Sequence, residues 1–341
     1  MPCGDERTQK IYENMRAYYD SGLFYEVDSF VSVERKFASG KVRRGLVAAV
    51  DLTKYEFAVG NKALIRATEG TVVDRLPPRV KIRRESLLEL PHIMLLLDDP
   101  QNTVFKAVDC SLGKTLYDFE LNAGGGHIIG KEVTDSETVL GAFEQLKKDM
   151  HKRFGEDLLM LVGDGNHSLA AAKKCYEEAV KSGDENAELK RYALCEIVNL
   201  YDEGIVFEPI HRAVFGVAPD KFAEYFARKT ADMPLVGVVR GGGKEYRVKY
   251  PRGVIEQIAA TEKIIEEYIA KFGGSVDYIH GDDVLSALSE REDCVTVKFL
   301  PISKDGFTEY IISNGVLPKK TFSMGNAEEK RYYLEARKIR K

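Results

Sequence analysis

Residues 158–173 read LLMLVGDGNHSLAAAK: five apolar residues, a turn with two glycines, an aspartate and a histidine, then a run of small helix-forming residues. An apolar strand that enters a glycine-bearing turn and leaves it as a helix is a building unit of α/β folds. It points to an α/β protein, in which helices cover a sheet. The glycines let the backbone turn tightly, and the helix start presents unpaired amides with partial positive charge. At 341 residues, the chain is expected to hold about two domains, or one core with a large insertion.

Periodicity supplies the remaining elements. Ile11, Met15, Tyr18 and Tyr19 recur at helical spacing. Strands are expected within 24–37, 45–52, 63–68 and 93–97, with 104–108 as a hairpin partner across the turn Asp98-Asp99-Pro100-Gln101-Asn102. Pro77-Pro78 argues against a helix, so Arg79, Lys81 and Arg83 are expected on one face of an extended chain. Thr134-Asp135-Ser136-Glu137 reads as a capping box before a helix carrying Val139, Leu140, Phe143, Leu146 and Met150 on one face. A helix over about 169–180 and strands over 192–200 and 205–210 come next. Residues 216–292 read as an inserted lobe, with a hairpin around Gly241-Gly242-Gly243-Lys244 and a charged helix over 254–272 closed by Gly273-Gly274. Residues 1–215 and 293–341 read as the core domain, with strands at 295–300 and 308–312 and a basic amphipathic helix at 328–339.

Composition narrows the class. Hydrophobic residues make up 44% and charged residues 30%, which excludes disordered and fibrous proteins. A net charge of −4 argues against a general nucleic-acid binder. Five cysteines without a Cys-x-x-Cys pair fit a reducing compartment, and neither a disulfide framework nor a zinc site. No apolar leader opens the sequence, and the apolar run 93–97 falls far short of the ~20 residues of a membrane span. The expectation is a cytoplasmic protein acting on a small-molecule substrate, without nucleic-acid or membrane partners, with a homodimer left open.

The turn Gly163-Asp164-Gly165-Asn166-His167-Ser168 is the first candidate site. Its amides suit a phosphate or carboxylate. Asp164 could hold a metal or a hydroxyl, and His167 could donate to phosphate or shuttle a proton. The plainer alternative is that Asn166 or Ser168 caps the helix. In the second candidate, Ile65-Arg66-Ala67-Thr68-Glu69-Gly70-Thr71, Glu69 could serve as general base and Arg66 as anion binder, or the segment is a surface turn with a salt bridge. Arg75 and Arg79 beside the prolines suit a phosphate clamp or a solvated face. Lys319, Lys320 and Thr321 could contact phosphate. Gly124-Gly125-Gly126-His127 is an anion loop or a simple turn, Asp98-Asp99 is explained by turn chemistry, and His92 reads as structural. Gly241 to Lys244 lacks the other residues of a P-loop, and no Gly-x-Gly-x-x-Gly follows a strand. Neither Gly-x-Ser-x-Gly nor His-Glu-x-x-His occurs, which disfavours common hydrolases and zincins.

Three stretches, IRATEGTVVDRLPPRVKIR with ELPHIMLLLDDP after it, VGDGNHSLAAAK, and LPKKTFSMGNAEEKRYYLEARKI, together resemble the bacterial family catalogued as domain of unknown function 1015. The resemblance runs over nearly the whole chain. Most branches of that family carry Asp-Gly-His-His-Arg where this chain has Asp164-Gly165-Asn166-His167-Ser168. The turn also resembles that of the ParB and sulfiredoxin superfamily, which binds nucleotides and includes free serine kinases. The resemblance implies a ParB/sulfiredoxin-like mixed sheet and a serine-related metabolic setting. It further implies nucleotide-dependent phosphotransfer to a small hydroxylated metabolite, with ATP or ADP and Mg²⁺ as cofactors. Asn166 stands where sulfiredoxin needs a cysteine, which disfavours sulfinic-acid repair. Ser168 replaces the family's arginine, so Arg66, Arg79, Lys319 and Lys320 become the candidates for meeting phosphate charge. Family members usually carry a further segment before the first helix; if it holds part of the site, the pocket of this chain is incomplete.

The expected reaction therefore places a nucleotide phosphate on Gly163 to His167, Mg²⁺ on Asp164 or on the phosphates alone, and the acceptor hydroxyl on Glu69. A regulatory nucleotide-binding module without turnover and a phosphoester hydrolase are the rival expectations.

Overall fold

Hydrogen bonding and packing divide the computed structural model into two units. It describes residues 5–71, 73–90, 93–325, 329–330 and 334–341. The first unit comprises Met1–Ile205, Phe307–Val316 and Asn326–Lys341, the second Val206–Gly306 and Leu317–Gly325.

The first unit opens with α1 (Asp5–Asp20), β1 (Phe30–Lys36), β2 (Val42–Asp51), β3 (Tyr55–Glu56) and β4 (Ile65–Ala67). Next come α2 (Leu76–Glu85), β5 (Leu88–Glu89), β6 (Met94–Leu97), α3 (Thr103–Cys110), β7 (Leu112–Glu120) and β8 (His127–Val133). They lead to α4 (Ser136–Phe154), β9 (Met160–Asp164), α5 (Asn166–Ser182), α6 (Ala187–Lys190) and β10 (Tyr192–Asn199). The second unit holds β11 (Phe207–Phe215), α7 (Pro219–Lys229), β12 (Leu235–Gly241), β13 (Lys244–Tyr250), α8 (Val254–Phe272), β14 (Ser275–His280), α9 (Asp282–Ser289) and β15 (Cys294–Val297). The chain then gives α10 (Phe307–Asn314) to the first unit, β16 (Phe322–Met324) to the second and β17 (Arg337–Lys338) to the first.

Among the described residues, nine strands form one sheet in the order β3-β4-β9-β6-β10-β2-β1-β8-β7. β4 runs parallel to β3 and β9, β9 runs antiparallel to β6, and β6 runs parallel to β10. Strands β10, β2, β1, β8 and β7 then alternate in direction. The second unit is built on an antiparallel sheet ordered β13-β12-β15-β11-β14, with β16 also on β11. The chain is therefore a mixed α/β protein with one large mixed sheet and one smaller antiparallel sheet. No described helix is long and apolar enough to cross a membrane.

The apolar run before the turn forms β9, whose Met160, Leu161 and Val162 are buried. Helix α5 turns its small residues inward: Ala170, Ala171 and Cys175 pack against Leu76 and Val80 of α2. Small side chains let the two helices approach closely while still removing apolar surface from water.

Several local expectations are corrected. Residues 76–85 are helical despite Pro77-Pro78, because both prolines stand in the first turn, where backbone N–H groups have no intrahelical acceptor. Lys81 therefore points away from Arg79 and Arg83, since residues two apart on a helix diverge by roughly 200°, while Arg79 and Arg83, four apart, stay on one side. Residues 104–108 lie in α3 rather than in a hairpin strand: Asp99 Oδ2 accepts from the Val104 N–H at 2.9 Å and so caps a helix. Residues 308–312 lie in α10, which buries Phe307, Thr308 and Ile311 on one face. α4 is capped by Asp135, not Thr134, and α5 begins at Asn166 rather than Leu169. The strand after 205 joins the antiparallel sheet and does not pair with β10. Where residues 328–339 are described they form no long helix, and β17 pairs with β5 through Arg337↔Glu89. His92 lies outside the described residues.

Asp51 ends β2 and meets the Arg191 guanidinium at 2.7 Å just before β10. Burial pushes its carboxyl up, but hydrogen bonds from Arg191 and Thr53 outweigh burial and bring it down to about 2. In Asp184 the hydrogen bond from Lys190 leads and also brings the carboxyl to about 2. Both values lie below the unfolded-state value, so the stabilisation is complete above roughly pH 4 and is lost as pH falls toward about 2. Denaturant melts across that window should show falling stability, with a shallower fall in Asp51→Asn.

In the second unit Arg212 is fully buried against Glu262, and it also donates to the carbonyls of Lys319 and Lys320 at 3.1 and 3.0 Å. Arg212→Met would take from the buried Glu262 carboxylate its nearest cation, leaving only Lys319 at 3.6 Å and the Tyr278 hydroxyl at 3.4 Å. The expected cost is about 3 kcal/mol by equilibrium unfolding.

Candidate functional site

The β4–β9 register aligns Ala67 with Val162, so the residues that follow these parallel strands emerge side by side. Thr68 and Glu69 come from one strand end, and Gly163 to Ser168 from the other. Two polar clusters almost a hundred residues apart in sequence thus meet at the carboxyl ends of neighbouring parallel strands. Open α/β sheets characteristically place ligands outside the carboxyl ends of their parallel strands.

Asn166 joins the two ends. It is 7% exposed; its Oδ1 accepts from the Thr68 N–H at 3.1 Å, and its Nδ2 donates to Thr68 Oγ1 at 3.4 Å. Thr68 Oγ1 in turn donates to the Val162 carbonyl at 2.5 Å. Asn166 is consequently not a helix cap. Gly165 occupies the cap position with φ of +87°, and no side chain caps α5. A β-carbon on Gly165 would stand 3.0 Å from the Ile93 Cα, so both the φ and the close approach call for glycine. Gly163 stays within β9.

Asp164, the last residue of β9, is half-exposed. Its Oδ1 accepts from the Gly165 N–H at 2.8 Å, and its Oδ2 lies 3.1 Å from Lys330 Nζ. His167 and Ser168 are half-buried in the first turn of α5, and Glu69 is half-buried at the end of β4. The Thr71 hydroxyl is buried without a hydrogen-bond partner.

Among the other expected cations, Arg66 and Lys319 hold carboxylates of their own. Arg66 is buried, with its guanidinium 2.7 Å from Glu156 and its Nε donating to the Ala63 carbonyl at 3.0 Å. The Arg66 guanidinium beside it holds the Glu156 carboxyl below the usual carboxylate range. Arg75 and Arg79 lie exposed on and beside α2, where Arg79 donates to the Arg75 carbonyl at 2.8 Å. Lys319, Lys320 and Thr321 belong to the second unit. There Lys319 pairs with Glu266 at 2.7 Å, and the Thr321 hydroxyl donates to the Pro318 carbonyl at 2.6 Å.

Two further expectations settle as structure. Asp98 receives Arg153 at 2.7 Å and the Tyr201 hydroxyl at 3.1 Å, while Asp99 caps α3. The Gly124–His127 stretch is a hairpin turn whose His127 lies between Glu120 and Asp118, at 2.8 and 2.6 Å. Two carboxylates there make a poor anion loop. One cavity of about 300 Å³ is lined by Val236, Asp282 and Lys298 and one of about 390 Å³ by Arg44, Asn102 and Tyr201, and none of the turn residues lines either.

A family model described as a protein of unknown function, DUF1015, matches residues 2–339. The chain belongs to the DUF1015 family. No curated protein matches it. Among solved structures it is similar to a conserved hypothetical protein from Pyrococcus furiosus, at 15% identity and TM-score 0.41 over 82% of this chain and 91% of that one. It is similar to a variant of a free serine kinase in complex with AMP, at 14% identity and TM-score 0.43 over 81% and 86%. A C-terminally truncated SbnI from Staphylococcus aureus matches at 12% identity and TM-score 0.41 over 82% and 83%.

In this DUF1015 chain the residue that sequence reasoning missed is Lys330. The stretch around it reads as a basic helix, and nothing in a lone lysine announces a partner 166 positions earlier. Among the described residues no group of three or more His, Cys, Asp and Glu side chains converges. Asp164 already spends one oxygen on an amide and the other on an ammonium.

Asn166→Ala should cost about 1–3 kcal/mol, because it leaves the Thr68 amide and hydroxyl short of a buried partner. Gly165→Ala should also destabilise, through strain at positive φ. Thermal melts of the two variants check both. Unchanged melting of Asn166→Ala would show that the strand ends are joined by something else.

Proposed function

We propose that this protein binds a nucleotide through its phosphates at the ends of β4 and β9 and transfers a phosphoryl group to a small hydroxylated metabolite, with serine the first acceptor to test. The observation that carries this reading is the meeting of Thr68-Glu69 with the Asp164-to-Ser168 turn, held by the buried Asn166 amide. The uncapped start of α5 supports a phosphate there, and the glycine at its head brings the backbone close.

A bound nucleotide would supply the phosphoryl group. Amides of the first turn of α5 would meet its charge, with His167 donating to a phosphate oxygen. Glu69 would take the proton of the acceptor hydroxyl as that oxygen forms its bond to phosphorus and the bond to the leaving nucleoside phosphate breaks. Asp164 is better suited to orienting the turn and Lys330 than to holding Mg²⁺, so no step is assigned to a metal on this residue.

The test begins with a thermal-shift screen of nucleotides and phosphorylated metabolites, since a ligand at 100 times its Kd stabilises the folded state by about 2.7 kcal/mol. The protein is then incubated with ATP or ADP, Mg²⁺ and serine, and phosphoserine is followed by mass. Glu69→Gln should retain nucleotide binding and lose product by at least about a hundredfold. Binding without product from any hydroxylated acceptor would replace this reading with a regulatory binding module. Release of inorganic phosphate without an acceptor would replace it with a hydrolase.

A further inference from the structure

The β12–β13 hairpin joins the rest of its sheet over a very short length. Gly242 and Gly243 turn it with φ of +59° and +68°, and their amides donate to the carbonyls of Arg291 and Ser289 at 3.0 and 3.1 Å. Beside that turn β12 meets β15 through Arg240↔Thr296 and Gly241↔Val295, and the ladder ends there. Its antiparallel continuation would pair Val238 with Lys298 and Val236 with Leu300. Residues 298 and 299 are instead held from the other side. The Phe299 N–H donates to the buried His211 Nδ1 at 3.2 Å, and Lys298 Nζ donates to Asp282 Oδ2 at 2.6 Å. The two chain segments part, and both line a cavity of about 300 Å³.

Hydrogen-bond alternation shows which groups the gap leaves open. A two-residue loop bonds Gly241 to Lys244, so Val239 and Gly237 also bond to β13, while Val236, Val238 and Arg240 turn their N–H and C=O the other way. Arg240 meets β15 there. Among the described residues no strand pairs with Val236 or Val238 on that side, and the Val238 carbonyl receives the Tyr250 hydroxyl at 3.4 Å. The same stretch is apolar and open: Val236 is 74% exposed, Val238 37%, and Leu300 across the gap 66%. An unpaired strand edge of this kind is a template for another strand. The charge beside it is positive. Cross-strand neighbours share a face, so Lys249 and Arg247 stand next to Val236 and Val238. Both are exposed, and among the described residues neither forms an ion pair, whereas Arg240 is paired with Glu245 and Lys298 with Asp282.

We propose that the gap between β12 and residues 298–300 takes an extended, acidic segment of a partner protein, which adds to β12 as a strand. Its backbone would bond Val236 and Val238, its apolar side chains would pack on theirs, and its carboxylates would lie within reach of Arg247 and Lys249. A polypeptide fits because the open groups of β12 offer donors and acceptors together at strand spacing. A nucleic-acid strand would bring the negative charge without the amide donors. The site lies wholly in the second unit and does not depend on the nucleotide reading.

The experiment is fluorescence anisotropy of the full chain with a labelled, end-capped peptide Glu-Glu-Val-Thr-Val-Glu-Glu. Saturable binding is expected, weakened by salt. Replacing its glutamates by lysines should weaken binding at least about fivefold, as should Arg247→Glu against the acidic peptide. Methylating the two valine amides of the peptide should cost about tenfold, because the strand bonds to β12 are then lost. Val236→Pro removes an N–H that faces the gap rather than β13 and should cost a similar factor. Arg247 is exposed and the methyl groups sit on the peptide, so those arms do not depend on how Val236→Pro folds. No saturable binding, or binding indifferent to methylation, overturns the proposal. Dimerisation of the wild-type chain in sedimentation that Val236→Pro abolishes would give the gap to a second copy and overturn it too. So would a deoxythymidine oligonucleotide that binds more tightly than the acidic peptide and is lost in Arg247→Glu.

Discussion

The carboxamide of Asn166 carries two assignments that a helix start normally keeps apart. A residue in that neighbourhood usually turns its side chain back on the helix and satisfies an amide. Here the side chain reaches across to the next strand and satisfies Thr68. The helix start is left without a side-chain cap, and the two strand ends are locked in register. One buried group therefore fixes the geometry of the site without serving as the cap of the helix.

Charge in the first unit follows a related logic. The arginines nearest the turn in sequence are drawn into structural pairs, Arg153 with Asp98 and Arg191 with Asp51. The charge that does arrive at Asp164 comes from a remote segment held by the buried guanidiniums of Arg35 and Arg43 on backbone carbonyls.

Much of this was legible in the sequence, for physical reasons that can be named. The β9–turn–α5 unit combines a continuous apolar run, obligatory glycines and small residues, and each signal points the same way. Helix α8 and the β12–β13 hairpin were equally plain, because glycines with positive φ end the one and turn the other. Misreadings arose where one rule was applied without its positional condition. Pro77-Pro78 breaks a helix interior but not a first turn. Asp99 in a turn-like sequence caps α3 rather than bending a hairpin. The short apolar runs 104–108 and 308–312 do not distinguish helix from strand by periodicity, and burial decided both for helix. The pairing of Lys330 with Asp164 was illegible because it depends on tertiary contacts from Arg35 and Arg43, neither of which carries a motif.

The order in which the chain visits its two units bears on how it is made. Residues from Asn326 onward belong to the first unit, yet they follow the whole of Val206–Gly306 and Leu317–Gly325. They bring in Ile339, fully buried, and β17 against β5. On the ribosome the large sheet must wait, with part of its apolar surface uncovered, while more than a hundred residues of the other unit emerge. Synthesis rate and chaperone capture during that interval, rather than final stability, would set the yield of native protein.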